Sequence, residues 1–402
     1  MTFEKFSTFF FQLIRREKKL IYIFLIALIL RFIFFYFYPD QNFPDAIAYR
    51  TMGEELLSFQ HATNHIYMPL YPIFTFITST IEIQRILEIF ISASSTFVIA
   101  KIAKEVFNSE NVGYLGALIF AVYPFSIFYS TSGLTETLYT FILLLSFYLL
   151  FIKQFSLGSF FLVLMVLIRP TLDFLNPILL LIFSLFVHKL SLKDSVKNLL
   201  VYFVFYIAML SPWWAHQYSK YGEFIRLNLA DGIVLYSGNN YLNHSGGGIV
   251  GADVDMRRFN DIENPVLKNR AMIDEALSFI VNNPSNFIVM GFKKFFRFWR
   301  LWPYAKEYSG VSHVLISMLS FGLILFTSIL YLIEFGKKHF RLLSPFLITI
   351  IYLSLIHSIT IGSIRYRFPI EPFLILFSSF FLTHSDKIIR IVDLNYFFNK
   401  KW

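Results

Sequence analysis

The apolar run from Leu20 to Tyr38 carries a single charge, Arg31, and its length of about 19 residues is what a helix needs to cross the hydrocarbon core of a bilayer. Similar runs recur at 85–107, 111–130, 132–152, 156–169, 171–188, 198–217, 310–334, 343–361 and 368–384. So many apolar segments cannot all be hidden inside one water-soluble core. The expectation is therefore an all-α polytopic membrane protein with about ten transmembrane helices. Charge supports this, since only 15% of the residues are charged against 56% hydrophobic, too few to coat a soluble globule of 402 residues. Fifty-one Phe residues suit lipid-facing and interfacial positions and would aggregate in water.

The net charge of +9 raises the question of nucleic-acid binding. Lys and Arg are scattered through short loops between apolar runs, however, which is the pattern of orientation signals and contacts with anionic membrane lipids, so no nucleic-acid partner is expected. Arg15, Arg16, Lys18 and Lys19 precede the first run and assign that end to the cytoplasm. Counting alternately, the turns at 101–110, Lys153, 188–197 and 334–341 and the tail from Lys387 fall inside, and these are the basic loops. The outer face receives 39–84, the turns near 131 and 170, the loop 218–309 and the link 363–367. The implied location is the cell (inner) membrane, with both termini cytoplasmic and the first run retained as a span. Three regions follow: an N-terminal transmembrane module, 1–217, with its first outer loop at 39–84; an extracytoplasmic loop region, 218–309; and C-terminal helices with a tail, 310–402. Cysteine is absent, which removes disulfides and zinc–thiolate sites.

The first outer loop reads Asn42-Phe43-Pro44-Asp45-Ala46-Ile47-Ala48-Tyr49-Arg50. Pro suits a first helical position, so an outer-face helix begins here, with Asp45 and Tyr49 on one face. Tyr67-Met68-Pro69-Leu70-Tyr71-Pro72 then turns rigidly back toward the bilayer. Arg169-Pro170 breaks two unusually short runs, as happens where a cavity is lined. Residues 264–282 read as a helix, and 287–304 alternates Lys293, Lys294, Arg297 and Arg300 with Phe and Trp, as an interfacial amphipathic helix does.

Taken in order with Tyr123-Pro124, Glu136, Ser211-Pro212-Trp213-Trp214, Tyr221-Gly222, Gly238-Asn239-Asn240 and Arg365-Tyr366-Arg367-Phe368-Pro369-Ile370-Glu371-Pro372, these elements resemble the GT-C glycosyltransferases. More narrowly, they resemble the bacterial branch related to protein O-mannosyltransferases and the aminoarabinose transferases of lipid A. Two departures stand out: Ala46 follows Asp45 where the family often has an acidic pair, and His216-Gln217 follows the Pro-Trp element where Arg-Asn is common. The resemblance implies an inverting transfer of sugar from a polyprenyl-phosphate-linked donor to a lipid, glycan or protein acceptor at the outer face. It implies no required cofactor, and it leaves open a divalent metal bridging Asp45 to the donor phosphate.

Residue chemistry can be matched to that reaction. An acceptor hydroxyl must lose a proton, and Asp45 is the expected general base. The phosphate leaving group is already acidic and needs positive charge in place of a general acid. Arg169, Arg365 and Arg367 are the expected phosphate ligands, with Lys293 and Lys294 as further candidates and Tyr49 as a substrate contact. Glu136, at the outer end of an apolar run, is a second catalytic candidate. Arg31 is expected to sit in a structural ion pair. Asp253-Val254-Asp255, the His61/His65 pair and Ser245-Gly246-Gly247-Gly248 mimic nucleotide-sugar, metal and phosphate-loop motifs but lack the partners each requires. A transporter or flippase for a lipid-linked or anionic solute is the alternative, and a polymerase or ligase of lipid-linked glycans is a third reading.

Overall fold

The computed structural model describes residues 17–39, 43–248, 253–304, 308 and 310–384. Arg15, Arg16 and the tail from Lys387, used above for orientation, lie outside the described residues, as does Asn42. Among the described residues all regular structure is helical.

The first span, α1 (Lys18–Phe37), packs its small residue Ala27 and Arg31 inward and turns Leu25, Ile29 and Ile33 outward. Then α2 (Pro44–Leu57) starts at Pro44, buries Ala46, Tyr49, Met52 and Gly53 at helical spacing, and packs on α3 (Leu70–Ile77). Gly53 is fixed by that packing, because a Cβ there would collide with the Pro72 carbonyl oxygen. Thr80 caps the long α4 (Ile81–Phe107), which ends at Asn108 in the left-handed conformation.

The expected span 111–130 is two helices, α5 (Glu110–Val122) and α6 (Pro124–Tyr129), because Tyr123 is extended before Pro124. The carbonyls freed at that break are taken by Arg31, whose side chain donates to Ala121 O and Phe120 O as well as to Ala27 O, Ser92 and Ser126. The ion pair expected for Arg31 is thus corrected: the guanidinium caps the C-terminal end of α5, where the helix dipole is negative.

Next come α7 (Glu136–Phe151) and α8 (Phe155–Ile168), followed by an extended Arg169, a 3₁₀ turn at Pro170–Leu172, and α9 (Leu175–Leu181) running into a π-helical turn at Ile182–Val187. The break thus falls at Arg169–Pro170, as the sequence indicates. Helix α10 (Leu192–Tyr221) exposes Leu200, Val204 and Ile207. The long segment 218–309 carries α11 (Asp231–Gly238), α12 (Pro265–Asn282) and the amphipathic α13 (Pro284–Phe298), which exposes Ile288, Phe292 and Phe296.

The chain then stays helical through α14 (Val311–Ile359), where the sequence suggests a loop at 334–341, although Pro345 within it has no N–H to give the Arg341 carbonyl, which accepts from the Ser344 hydroxyl instead. This helix nevertheless reverses direction. Arg367 lies over the Phe321 ring at 3.4 Å while its neighbour Tyr366 stacks on His357 at 4.6 Å. In a straight helix residues 321 and 357 would be about 54 Å apart. Tyr331 and Phe346 both meet Phe377, which puts the reversal between them. The described residues close with α15 (Ile364–Arg367) and the buried α16 (Glu371–Thr383), which lies between the arms of α14 and against α5.

By length and apolar content, α1, α4, α10 and α14 can each cross a membrane, and α5, α7, α8 and the α9 segment are shorter apolar helices. The described residues are thus those of an all-α membrane protein with four helices long and apolar enough to cross a membrane.

Candidate active site

The first turn of α2, the start of α7, the α8–α9 break and α15 meet at one point. Arg365 Nη1 contacts Asp45 Oδ2 at 2.7 Å and its Nε contacts Glu136 Oε1 at 2.5 Å, while Arg169 Nη1 reaches the same Glu136 oxygen at 2.9 Å. Two acids and two bases from four distant parts of the chain thus alternate in a row. Glu136 is fully enclosed, Arg169 and Arg365 are partly covered, and Asp45 keeps 35% of its side-chain surface open. A proton-accepting carboxylate must be reachable, and of the two acids only Asp45 is.

Asp45 is also held from its other side. The Tyr67 hydroxyl donates to Asp45 Oδ1 at 3.0 Å, and the Tyr67 ring rests on Tyr49, with centroids 4.4 Å apart. Burial works to raise the Asp45 pKa, but Arg365, the Tyr67 hydrogen bond and Arg169 outweigh it and hold the carboxyl below its ordinary 3.8. Burial and the adjacent Asp45 push the Tyr67 hydroxyl up, so it remains a donor. Tyr49, expected as a substrate contact, is buried beneath this pair and also touches Tyr71 at 4.9 Å. Its place is support for Tyr67.

Tyr67 was not singled out by sequence reasoning. The signal available was its position at the start of the proline-stiffened return 67–72, which fixes where its ring can point.

The other basic candidates lie elsewhere. Arg367 is fully buried, paired with Glu371 at 2.7 Å and donating to the Phe298 and Arg300 carbonyls. Glu371 in turn accepts from Tyr123 at 2.8 Å. That arrangement ties α13, α15 and α16 together, with Arg367 Nη2 buried and without a hydrogen-bond partner. Arg367→Gln strands a buried carboxylate, so it is expected to destabilise the fold by about 3–5 kcal/mol. Thermal unfolding in detergent checks this, and an unchanged midpoint would contradict it.

Lys294 is also enclosed, donating to Asn239 Oδ1 and Ile359 O at 3.0 Å each, and burial lowers its pKa to about 7. It pins the Gly238-Asn239-Asn240 turn to the end of α14. Lys293, one residue earlier and about 100° round the helix, is exposed at the amphipathic face.

Arg365 also lines a cavity of about 600 Å³ between the C-terminal end of α1, helix α6 and the described residues that follow α13. Its walls are largely aromatic, including Phe34, Tyr38, Phe43, Phe128, Trp302 and Tyr308. Two further arginines line it: Arg297 over the Tyr304 ring at 3.6 Å, and Arg300 over Trp302 at 4.4 Å, its Nε buried and unpaired. The cavity therefore joins apolar walls to a cationic edge that reaches the acid–base row through Arg365.

The look-alike motifs resolve into local structure. Asp255 pairs with exposed Arg257, Asp253 bonds Ser245, and His61 meets Ser219 and His216. Among the described residues no three His, Cys, Asp or Glu side chains stand together as a metal site. Asp173 pairs with Arg226 at 2.7 Å and accepts from Tyr206 at 2.9 Å, which ties the α8–α9 break to α10 and the segment after it.

No family model matches the sequence, and no curated protein matches it. Among solved structures, the chain is similar to the archaeal oligosaccharyltransferase AglB from Archaeoglobus fulgidus in complex with an inhibitory peptide and a dolichol-phosphate. The TM-score is 0.54 at 12% identity, covering 97% of this chain and 53% of that one. It is similar also to the Archaeoglobus fulgidus oligosaccharyltransferase in its apo form, with a TM-score of 0.54 at 14% identity, covering 96% and 52%. The chain thus spans about half the length of these proteins, and the likeness is one of fold. The shared fold does not reach the narrower bacterial branch.

Proposed function

We propose that the protein is a glycosyltransferase that moves a sugar from a polyprenyl-phosphate-linked donor to an acceptor at the outer membrane face, with inversion and with Asp45 as general base. The observation that carries this reading is the convergence of Asp45, Glu136, Arg169 and Arg365 at the edge of an aromatic cavity with further arginines. A lipid phosphate offers apolar length for the walls and a diffuse negative charge for guanidinium forks.

In the proposed step the acceptor oxygen attacks the anomeric carbon and its proton passes to Asp45. The bond from that carbon to the phosphate oxygen breaks, and the electron pair stays on the phosphate. A singly charged phosphodiester becomes a doubly charged monoester as Asp45 becomes neutral, so charge is conserved within the site. Positive groups are needed where the charge grows, and Arg365 with Arg169 supplies them. Glu136 holds the two arginines side by side, which would otherwise repel, and Tyr67 fixes the lone pairs of Asp45. A transporter needs ionisable groups along a path through the membrane. Here the paired groups Asp45, Glu136, Arg169 and Arg365 gather at one end of the bundle, which favours the enzyme.

The test is purified protein in nanodiscs given a polyprenyl-phosphate sugar labelled in the sugar, with host envelope lipids and proteins as acceptors. Label moved onto a new molecule supports the transferase. Label that changes leaflet but stays on its lipid would overturn it in favour of the flippase.

The proposed outer location of the site gives a separate expectation. With no native Cys, single cysteines at exposed Thr63 and His244 should react with an impermeant maleimide in intact spheroplasts, and those at exposed Lys193 and Lys338 should not. Labelling in the reverse pattern would place the site in the cytoplasm.

A further inference from the structure

Arg365 has two faces, one closing the aromatic cavity and one locked to Asp45 and Glu136. In this arrangement both oxygens of Asp45 are occupied, Oδ1 by Tyr67 and Oδ2 by Arg365. A carboxylate so held is a poor base, because accepting a proton means giving up a charge-assisted hydrogen bond. The row Asp45, Arg365, Glu136 and Arg169 is also balanced, two negative charges against two positive, so the row itself has no surplus cation to offer a phosphate beyond what Arg297 and Arg300 give from the cavity wall. Both facts make the same demand: a phosphate that draws on Arg365 must take it from Asp45.

We infer that Arg365 is an exchange residue: an anionic lipid phosphate seated in the aromatic cavity pulls its guanidinium away from Asp45 and thereby frees the base, so that donor must bind before the acceptor can be activated. This rests on the glycosyltransferase reading and adds an order of events to it.

The exchange is favoured progressively as the reaction runs. Before transfer a singly charged phosphodiester competes with an ionised Asp45 for Arg365. After transfer a doubly charged phosphate faces a neutral Asp45, so the guanidinium goes with the leaving group. Glu136 remains on Arg365 Nε and keeps the side chain from leaving the site, since it holds the fork at one corner while the other swings. The remaining groups facing Asp45 do not block the motion: Tyr67 stays as a donor, Tyr49 lies beneath it, and Arg169 is occupied by Glu136. Because the base is restrained until the donor arrives, water cannot be activated at an empty site, and the donor sugar is exposed to attack only when a complete site surrounds it.

The device can be read without turnover by carbodiimide labelling of Asp45, which requires the protonated acid, followed by peptide mass spectrometry. Nanodisc-embedded protein is labelled alone, with a long-chain polyprenyl phosphate, with the matching polyprenol, and with phosphatidylglycerol. Polyprenyl phosphate should raise Asp45 labelling by about tenfold, the change given by one unit of pKa, whereas the polyprenol and phosphatidylglycerol should not. Arg365→Gln should label at the raised rate with or without lipid, and Arg365→Lys should fall between. Retention of the lipid phosphate on the protein is followed in parallel by native mass spectrometry. Bound lipid phosphate with unchanged Asp45 labelling would overturn the exchange and leave the transferase reading standing. A lipid phosphate that does not bind would remove the reading on which the exchange depends.

Discussion

Asp45→Asn is expected to lower sugar transfer by about 10²–10⁴-fold, the usual contribution of a general base, while insertion and folding stay intact. Asn keeps the size of Asp and can still accept from Tyr67, but it cannot take up a proton at working pH. The change also removes one anion from the row, leaving Arg365 with Glu136 alone and free for phosphate. Donor affinity should therefore hold or improve as turnover falls. That separation is informative, because a substitution that merely damaged the fold would lower both. Asp45→Glu should retain part of the activity, limited by displacement of the carboxylate.

The pH dependence follows from the same contacts. Arg365 and Tyr67 hold the Asp45 pKa below 3.8 against the opposing effect of burial. The base form is the active one, so kcat/KM, which reports the free enzyme, should stay level as pH falls and drop only below that value. If donor binding releases Arg365, the acid limb of kcat should lie at higher pH than that of kcat/KM. Coincident limbs would argue that the Asp45–Arg365 pair survives in the donor complex.

Arg365→Gln should cost about 10²–10³-fold in kcat, the scale seen when one preorganised donor to developing negative charge is removed. Two losses combine: the phosphate loses a charge-assisted partner, and Glu136 is left with Arg169 alone. Asp45 meanwhile becomes more basic, so part of the lost rate should return at the chemical step, and the acid limb of kcat/KM should move up toward the ordinary carboxylate range. Lysine at 365 should restore little, since one ammonium cannot span Asp45 and Glu136 in the fixed geometry of the fork. The equivalent change at Arg367, expected to act through stability, provides the control. Indistinguishable kinetics and stability for the two variants would contradict the assignment.

That contrast shows what the sequence could and could not convey. Long apolar runs, the helix begun by Pro44, the break at Arg169–Pro170 and the amphipathic stretch after Pro284 were legible because length, proline geometry and apolar periodicity are local signals. Asp45, Glu136, Arg169 and Arg365 were all visible as candidates, since charged groups are conspicuous in so apolar a chain. Their meeting was not. Arg365 and Arg367 lie two residues apart, about 200° round a helix, so one faces Asp45 and the other faces Glu371. Identity and spacing alone give no way to tell which face looks into the site. Lys293 and Lys294 divide in the same way, one exposed and one buried under the Gly238-Asn239 turn.

Arg31 misled for a related reason. A buried guanidinium calls for negative partners, and carboxylates are the ones sequence can show, yet the carbonyls freed at the Tyr123–Pro124 break serve instead. The reversal within α14 was foreseen as a loop from its basic residues, but Lys337, Lys338 and Arg341 are good helix formers, and the chain stays helical through it apart from the hydrogen bond that Pro345 cannot make.

The most direct test of the central claim compares envelope glycolipids and glycoproteins by mass spectrometry in cells lacking the gene, complemented either with wild type or with Asp45→Asn at equal membrane abundance. A sugar-bearing species should be missing from the deletion strain, return with wild type and stay missing with Asp45→Asn. Recovery of that species by Asp45→Asn to the wild-type level would contradict the assignment of Asp45 as the base and, with it, the mechanism built around Arg365.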